Sequence, residues 1–420
     1  MSPSPYTRQF FPMLPSPPLL LGATVALLMI SAMAAAATAT KKDEAAQAIA
    51  LPGCPDKCGN ISIPYPFGTR DGCYFDPGFY ISCNLSDTPP SAAVSGVIMK
   101  NGTGYYLANN NQAGEPPGVS NNDSHGYWIL GLIDLDVAHG VARVDGPVSY
   151  DCGVNDTYHS IGVSTVSVSL STAFALSSTR NALVGVGTNV EALLSGTIST
   201  DDIGGGGANY SAACAAMADT PPAARNGSCL GVGCCSAELS PGIDVFSVSM
   251  RRRSSSSGWK KTTPCTYAMV VDKAWYNFSA QDLYGHAFFE RMMVTDGVPL
   301  VLDFAIRNES CPAEGRPPPL GCRSSNSVCV NASQGPGYLC RCSDGYEGNP
   351  YLPDGCQDID ECMLRDVHPD LRNTYPCFGI CRNNIGGYDC QCELGTKGDA
   401  KNGTCKIVFP LIAMVATFGK

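Results

Sequence analysis

The chain has 420 residues, 22 cysteines and a formal net charge of −10. That acidic balance argues against nucleic acid as a partner, because phosphate binding needs a basic footprint. An even, large cysteine count suits an oxidised framework, which persists in secretory compartments and not in the reducing cytosol.

Taken in chain order, residues 1–39 read as a signal peptide. Its apolar stretch covers residues 19–33, Arg8 is the only charge before it, and small residues suited to cleavage follow at 34–39. Residues 40–53 are a short polar and alanine-rich lead-in. Residues 54–310 hold ten cysteines, enough to close their own bridges, with a connectivity that spacing does not give. This region reads as mainly β and is long enough for one large domain or two smaller ones. Residues 298–306 alternate with period two, Val298, Leu300, Leu302, Phe304 and Ile306 facing one way, as a strand with one buried face requires. Residues 161–170, β-branched with interleaved serines, predict a second strand, and residues 268–278 a third. The glycine run at 204–207 lacks the Lys-Ser/Thr of a phosphate cradle and reads as a loop. So does the serine run at 254–257 with its basic flanks.

The last third carries two consecutive sets of six cysteines, at 311–356 and 358–405. In each, one residue separates the fourth and fifth cysteines. After Cys405 the apolar tail, 406–420, is too short to span a bilayer and suits a membrane-proximal stub. Eleven Asn-x-Ser/Thr sequons, at Asn60, Asn84, Asn101, Asn122, Asn155, Asn209, Asn226, Asn277, Asn308, Asn331 and Asn402, predict a glycosylated, solvent-facing protein. The five histidines are scattered, and no HExxH or GxSxG motif occurs, so the residues point to a binding protein and not to an enzyme.

Both cysteine sets resemble EGF-like modules. The run Asp358-Ile359-Asp360-Glu361 before Cys362 resembles the calcium-binding version. That resemblance implies bridges Cys311–Cys329, Cys322–Cys340, Cys342–Cys356, Cys362–Cys381, Cys377–Cys390 and Cys392–Cys405. It also implies one Ca2+ held by Asp358, Ile359, Glu361, Asn383, Asn384 and Gly387, mixing carboxylate, amide and carbonyl oxygens as calcium prefers. Such a metal would stiffen the joint between the modules.

Upstream, Cys58-Gly59-Asn60 leading into Ile63-Pro64-Tyr65-Pro66-Phe67-Gly68, then Gly72-Cys73-Tyr74 and Cys83-Asn84, resembles the galacturonan-binding region of plant wall-associated receptor kinases. The Cys234-Cys235 pair and the run Gly345-Tyr346-Glu347-Gly348-Asn349-Pro350-Tyr351 extend the likeness along the ectodomain. No glycine-rich kinase loop, HRD or DFG run is present, so kinase activity is not implied. The resemblance implies a secreted cell-wall protein of the apoplast that binds pectin, mainly homogalacturonan. Membrane-bound receptor kinases are implied as further partners, and the tail as a possible membrane contact. The alternative is a protein-adhesion module acting through the EGF pair. Residues 40–310 contain 16 basic and 25 acidic side chains. A polyanion must therefore meet either a local basic patch or bridging calcium. The best cluster is Arg251, Arg252, Arg253, Lys260 and Lys261 beside Trp259, where arginines suit carboxylates; its plainer reading is a solvated basic loop. A second set is Lys57, Arg70, Tyr65 and Phe67, of which the two rings read first as core packing.

Overall fold

The computed structural model describes residues 49–101, 127–154, 159–198, 208–217, 223–252, 263–294, 297–307, 309–313 and 316–408. The segment read as a signal peptide, the glycine and serine runs and the tail from 409 lie outside them. In chain order the described strands begin with β1 (Lys57–Cys58), β2 (Ile61–Ser62), β3 (Ile81–Asn84), β4 (Ser91–Asn101), β5 (Tyr127–Asp136) and β6 (Val141–Gly146). Next come β7 (Val148–Val154), β8 (His159–Val163), β9 (Thr165–Leu170), β10 (Phe174–Leu176), β11 (Asn181–Val186) and β12 (Asn189–Ile198). β13 (Ala208–Met217), β14 (Cys234–Ala237), β15 (Ile243–Arg252), β16 (Cys265–Asp272), helix α1 (Ala287–Val294) and β17 (Val298–Phe304) complete this part.

β1 and β2 pair with each other, and the remaining strands build two antiparallel sheets. One runs β10, β17, β6, β5, β4, β9, β15, β12, β13, with β3 added against β4; the other runs β14, β11, β16, β7, β8. The large sheet shows the alternation of a half-buried surface. In β12, Val190, Ala192 and Leu194 are buried between more exposed neighbours. In β9, Val166 and Val168 point inward, while Ser167 on the other face meets Ser247 of β15 at 2.7 Å. The smaller sheet is different, because every residue of β11 and β16 is buried. Leu183, Ala268 and Val270 join the core beneath the large sheet. Val184, Tyr267, Met269 and Val271, of opposite parity, pack with Phe288 and Met292 of α1. The smaller sheet is thus a middle layer, covered on both faces.

Three strand expectations are refined by this layering. The segment 161–170 is not one strand. It breaks at Ser164, where the chain leaves β8 in the small sheet for β9 in the large one. At the crossover the Ser149 hydroxyl lies 2.9 Å from both Val163 O and Ser164 O, sharing its one hydrogen, and Met250 N donates to Ser164 O at 3.2 Å. The strand placed at 268–278 spans Cys265–Asp272 instead and ends in a turn at Asp272, whose carboxylate accepts from Ala274 N at 2.9 Å. β17 covers Val298–Phe304; Ile306 lies beyond it and bridges to Tyr338.

All 22 cysteines are paired. The ten in the β-rich part close among themselves as Cys54–Cys73, Cys58–Cys83, Cys152–Cys265, Cys214–Cys235 and Cys229–Cys234. The first two clamp the N-terminal block, from which Ile63, Tyr65, Phe67, Phe79 and Ile81 enter the main core. Phe67 lies 5.2 Å from Phe79, 5.7 Å from Phe174 and 4.9 Å from Phe304, centroid to centroid. Neither Tyr65 nor Phe67 is therefore free to stack on a sugar.

The first six-cysteine segment forms the hairpins β18 (Ser327–Asn331) with β19 (Tyr338–Cys342) and β20 (Tyr346–Gly348) with β21 (Cys356–Asp358). A boundary at 310 is crossed by the core itself. Tyr338, Cys340, Tyr351 and Leu352 share one apolar cluster with Tyr65, Phe67 and Phe304. Asn349 adds polar stitching, donating to Tyr65 O at 2.6 Å and Ile49 O at 3.2 Å. The second segment holds helix α2 (Glu361–Val367) and the hairpin β22 (Ile380–Asn384) with β23 (Gly387–Gln391). Of its side chains only Glu361, Cys377 and Ala400 are buried. So small a core needs covalent staples, and three disulfides supply them.

Candidate functional site

The twelve cysteines of the last third are joined Cys311–Cys329, Cys322–Cys340, Cys342–Cys356, Cys362–Cys381, Cys377–Cys390 and Cys392–Cys405. This bonding brings the acidic run 358–361 against β22 and β23. Asp358 ends β21, and its carboxylate accepts from Asn383 Nδ2 at 2.9 Å and from Gly386 N at 2.5 Å. Ile359 N donates to Gly345 O at 2.9 Å. Asp360 caps α2, accepting from Met363 N at 2.8 Å, and is engaged there. Asn383 stands opposite Tyr388 and Asn384 opposite Gly387 in the hairpin register.

Glu361 is the decisive residue. It is 3% exposed, and its Oε2 has no hydrogen-bond partner among the described residues. A buried ionised oxygen without a partner is costly, whereas a cation beside it removes that cost. Burial first, and then the Glu361 charge, push the Tyr388 hydroxyl above its ordinary pKa, so the helix start and β23 are electrostatic neighbours. The donor set of two carboxylates, an amide and backbone carbonyls is hard and oxygen-rich. It fits a calcium ion and not a thiophilic metal. Asp358, Glu361 and Asn383 would contribute side chains and Ile359, Asn384 and Gly387 carbonyls, with the Asn383 amide turned to present oxygen. Asp358→Ala is expected to weaken calcium binding about tenfold or more, since a charged contact is typically worth about 1.5–3 kcal/mol. Calorimetric titration of the chelator-stripped chain checks this.

The same joint holds a close backbone contact that the sequence motifs did not reveal. A Cβ on Gly345 would fall 2.4 Å from Gly386 O, and one on Gly386 3.3 Å from the Tyr346 ring. Both glycines have positive φ, 81° and 82°, so the two segments meet through turns that favour glycine.

The basic cluster is only partly described. Arg251 faces solvent at the end of β15. Arg252 is engaged: its guanidinium donates to Thr263 O at 3.2 Å and Pro264 O at 3.4 Å and lies 3.9 Å from Asp151. Arg253, Trp259, Lys260 and Lys261 lie outside the described residues. Among the sequons, Asn60, Asn209, Asn226, Asn277, Asn331 and Asn402 are exposed and Asn84 is half-buried. The side chains of Asn101, Asn122, Asn155 and Asn308 are outside the description. No described helix is long and apolar enough to cross a membrane.

The fold and its staples define a β-rich, disulfide-rich chain. Residues 54–115 match the family described as wall-associated receptor kinase galacturonan-binding. The chain is 31% identical over 376 residues to wall-associated receptor kinase 1 of Arabidopsis thaliana, which covers 87% of this chain and 43% of that protein. It is 31% identical to wall-associated receptor kinase 5 of the same plant, covering 84% and 40%. Against wall-associated receptor kinase-like 10 it is 26% identical, covering 80% and 42%. No solved structure matches. The chain is a relative of the plant wall-associated receptor kinases. It spans about two fifths of the length of these relatives.

Proposed function

We propose that this chain is a non-enzymatic binder of cell-wall pectin, with de-esterified galacturonan as its ligand and a structural calcium ion at the 358–387 joint. The match of residues 54–115 to a galacturonan-binding family carries the first part. The partnerless buried Oε2 of Glu361 supports the second. Calcium here holds the joint and performs no chemistry. Co-sedimentation of the oxidised full chain with de-esterified and methyl-esterified pectin tests the ligand. Saturable binding that favours the de-esterified polymer is expected, and equal or absent retention counts against it.

A second reading, docking of a protein partner on the last segment, is favoured by one observation. Phe378, Ile385 and Leu394 there are 66%, 88% and 103% exposed. Failure to retain either polymer shifts the weight to that surface.

A further inference from the structure

A cavity of about 110 Å³ opens where β17 meets the β18–β19 hairpin. Three arginines from distant parts of the chain line it: Arg180 from the turn after β10, Arg307 just past β17, and Arg341 from β19. Asp303 is the one carboxylate in the lining. Arg307 is fixed in place, donating through Nη1 to Gln334 O at 2.8 Å and Pro336 O at 3.1 Å. Asp303 and Asp244 are the acidic charges that act on it. Within the lining itself three guanidiniums stand against one carboxylate; outside it, Asp244 acts on Arg307 and Asp136 pairs with the lining His139 at 2.7 Å. Arg180 and Arg341 both face solvent.

The remaining walls suit a sugar. Leu339 offers apolar surface and Thr179 an exposed polar group, whereas the Phe304 ring, also in the lining, is buried against Phe67 in the core. At Gly140, φ is 72° and a Cβ would fall 2.8 Å from a Leu339 methyl, so a side chain there would displace the wall. Guanidinium forks match carboxylates bidentately, and a partly desolvated setting strengthens the contact.

We infer that this three-arginine cleft binds the free carboxylate of a single uronic-acid residue directly, without bridging calcium, the sugar ring resting against Leu339. The inference rests on the galacturonan reading above and adds a location, a unit of recognition and a reason for preferring the free acid. Methyl esterification removes the charge that the arginines recognise.

Calorimetric titration of the full chain with trigalacturonate, in chelator and at low ionic strength, tests it beside the methyl-esterified trimer. The unmodified chain is expected to bind only the free acid. Arg180→Ala/Arg341→Ala is expected to lose about tenfold or more in affinity, since a hydrogen bond to a charged group is worth about 1.5–3 kcal/mol. Both side chains are exposed, so an unchanged unfolding midpoint should accompany the loss. Arg341→Lys, which keeps the charge and loses the fork, serves if the double variant is unstable, and it too should bind more weakly. Equal affinity in the unmodified chain and all variants overturns the cleft while leaving pectin binding standing. Binding of neither the trimer nor the polymer by the unmodified chain overturns both.

Discussion

Tyr351→Ala is expected to cost about 3–5 kcal/mol of stability, the usual range for truncating a large core aromatic. The ring is fully buried and sits 6.4 Å from Phe304, in the cluster shared by the β-rich part and the first six-cysteine segment. Its hydroxyl accepts from Cys340 N at 3.1 Å, and burial raises its pKa well beyond the ordinary tyrosine range. Truncation therefore leaves a cavity and an unsatisfied buried N–H together. Denaturant unfolding of the oxidised chain reads the loss. Because one core spans both parts, they should unfold in a single transition in the unmodified chain. Leu394→Ala, at a fully exposed site, is the control and should change stability by no more than about 0.5 kcal/mol. Two separated transitions in the unmodified chain would mean that the shared cluster does not couple the parts.

Glu361→Gln should have effects of opposite sign with and without calcium. The amide keeps the shape of the side chain and removes a buried charge whose Oε2 has no described partner. In chelator the variant should be at least as stable as the unmodified chain, because an uncompensated buried carboxylate is costly. With calcium present it should lose about tenfold or more in metal affinity. It should also lose most of the thermal shift that calcium gives, since that shift follows the ratio of metal concentration to dissociation constant. Thermal scans of both proteins, with chelator and with calcium, check this. A purely structural glutamate would give the same sign under both conditions.

Much of the architecture was legible because it rests on local periodicity and on cysteine spacing. The alternation in β17 reads as a buried face, although Val301 on its other side is buried too and Val298 packs in the second apolar cluster. The middle layer was harder to read. β11 and β16 are buried on both sides, so their apolar runs carry no period to show which face meets which neighbour. The break at Ser164 was hidden for a related reason: residues 161–170 are uniformly strand-forming, and only tertiary pairing assigns the halves to different sheets. At the joint, Asp358, Glu361 and Asn383 follow from the resemblance to calcium-binding EGF-like modules, whereas the close meeting of Gly345, Tyr346 and Gly386 depends on how two segments dock. The runs holding Tyr65 and Tyr351 stand out as motifs, yet nothing local says that they share a core. Arg180, Arg307 and Arg341 carried no signal at all, being single arginines that only the fold gathers. The basic run at 251–261 attracted notice by its density, and there Arg252 is engaged by backbone carbonyls.

The most direct test of the wall-binding reading is equilibrium titration of the oxidised full chain with homogalacturonan of defined low esterification, in calcium and in chelator. Saturable binding that survives chelation and weakens with salt is predicted, because the contact is between arginines and carboxylates. Absence of binding in both conditions, from a protein whose eleven disulfides are formed, would contradict it.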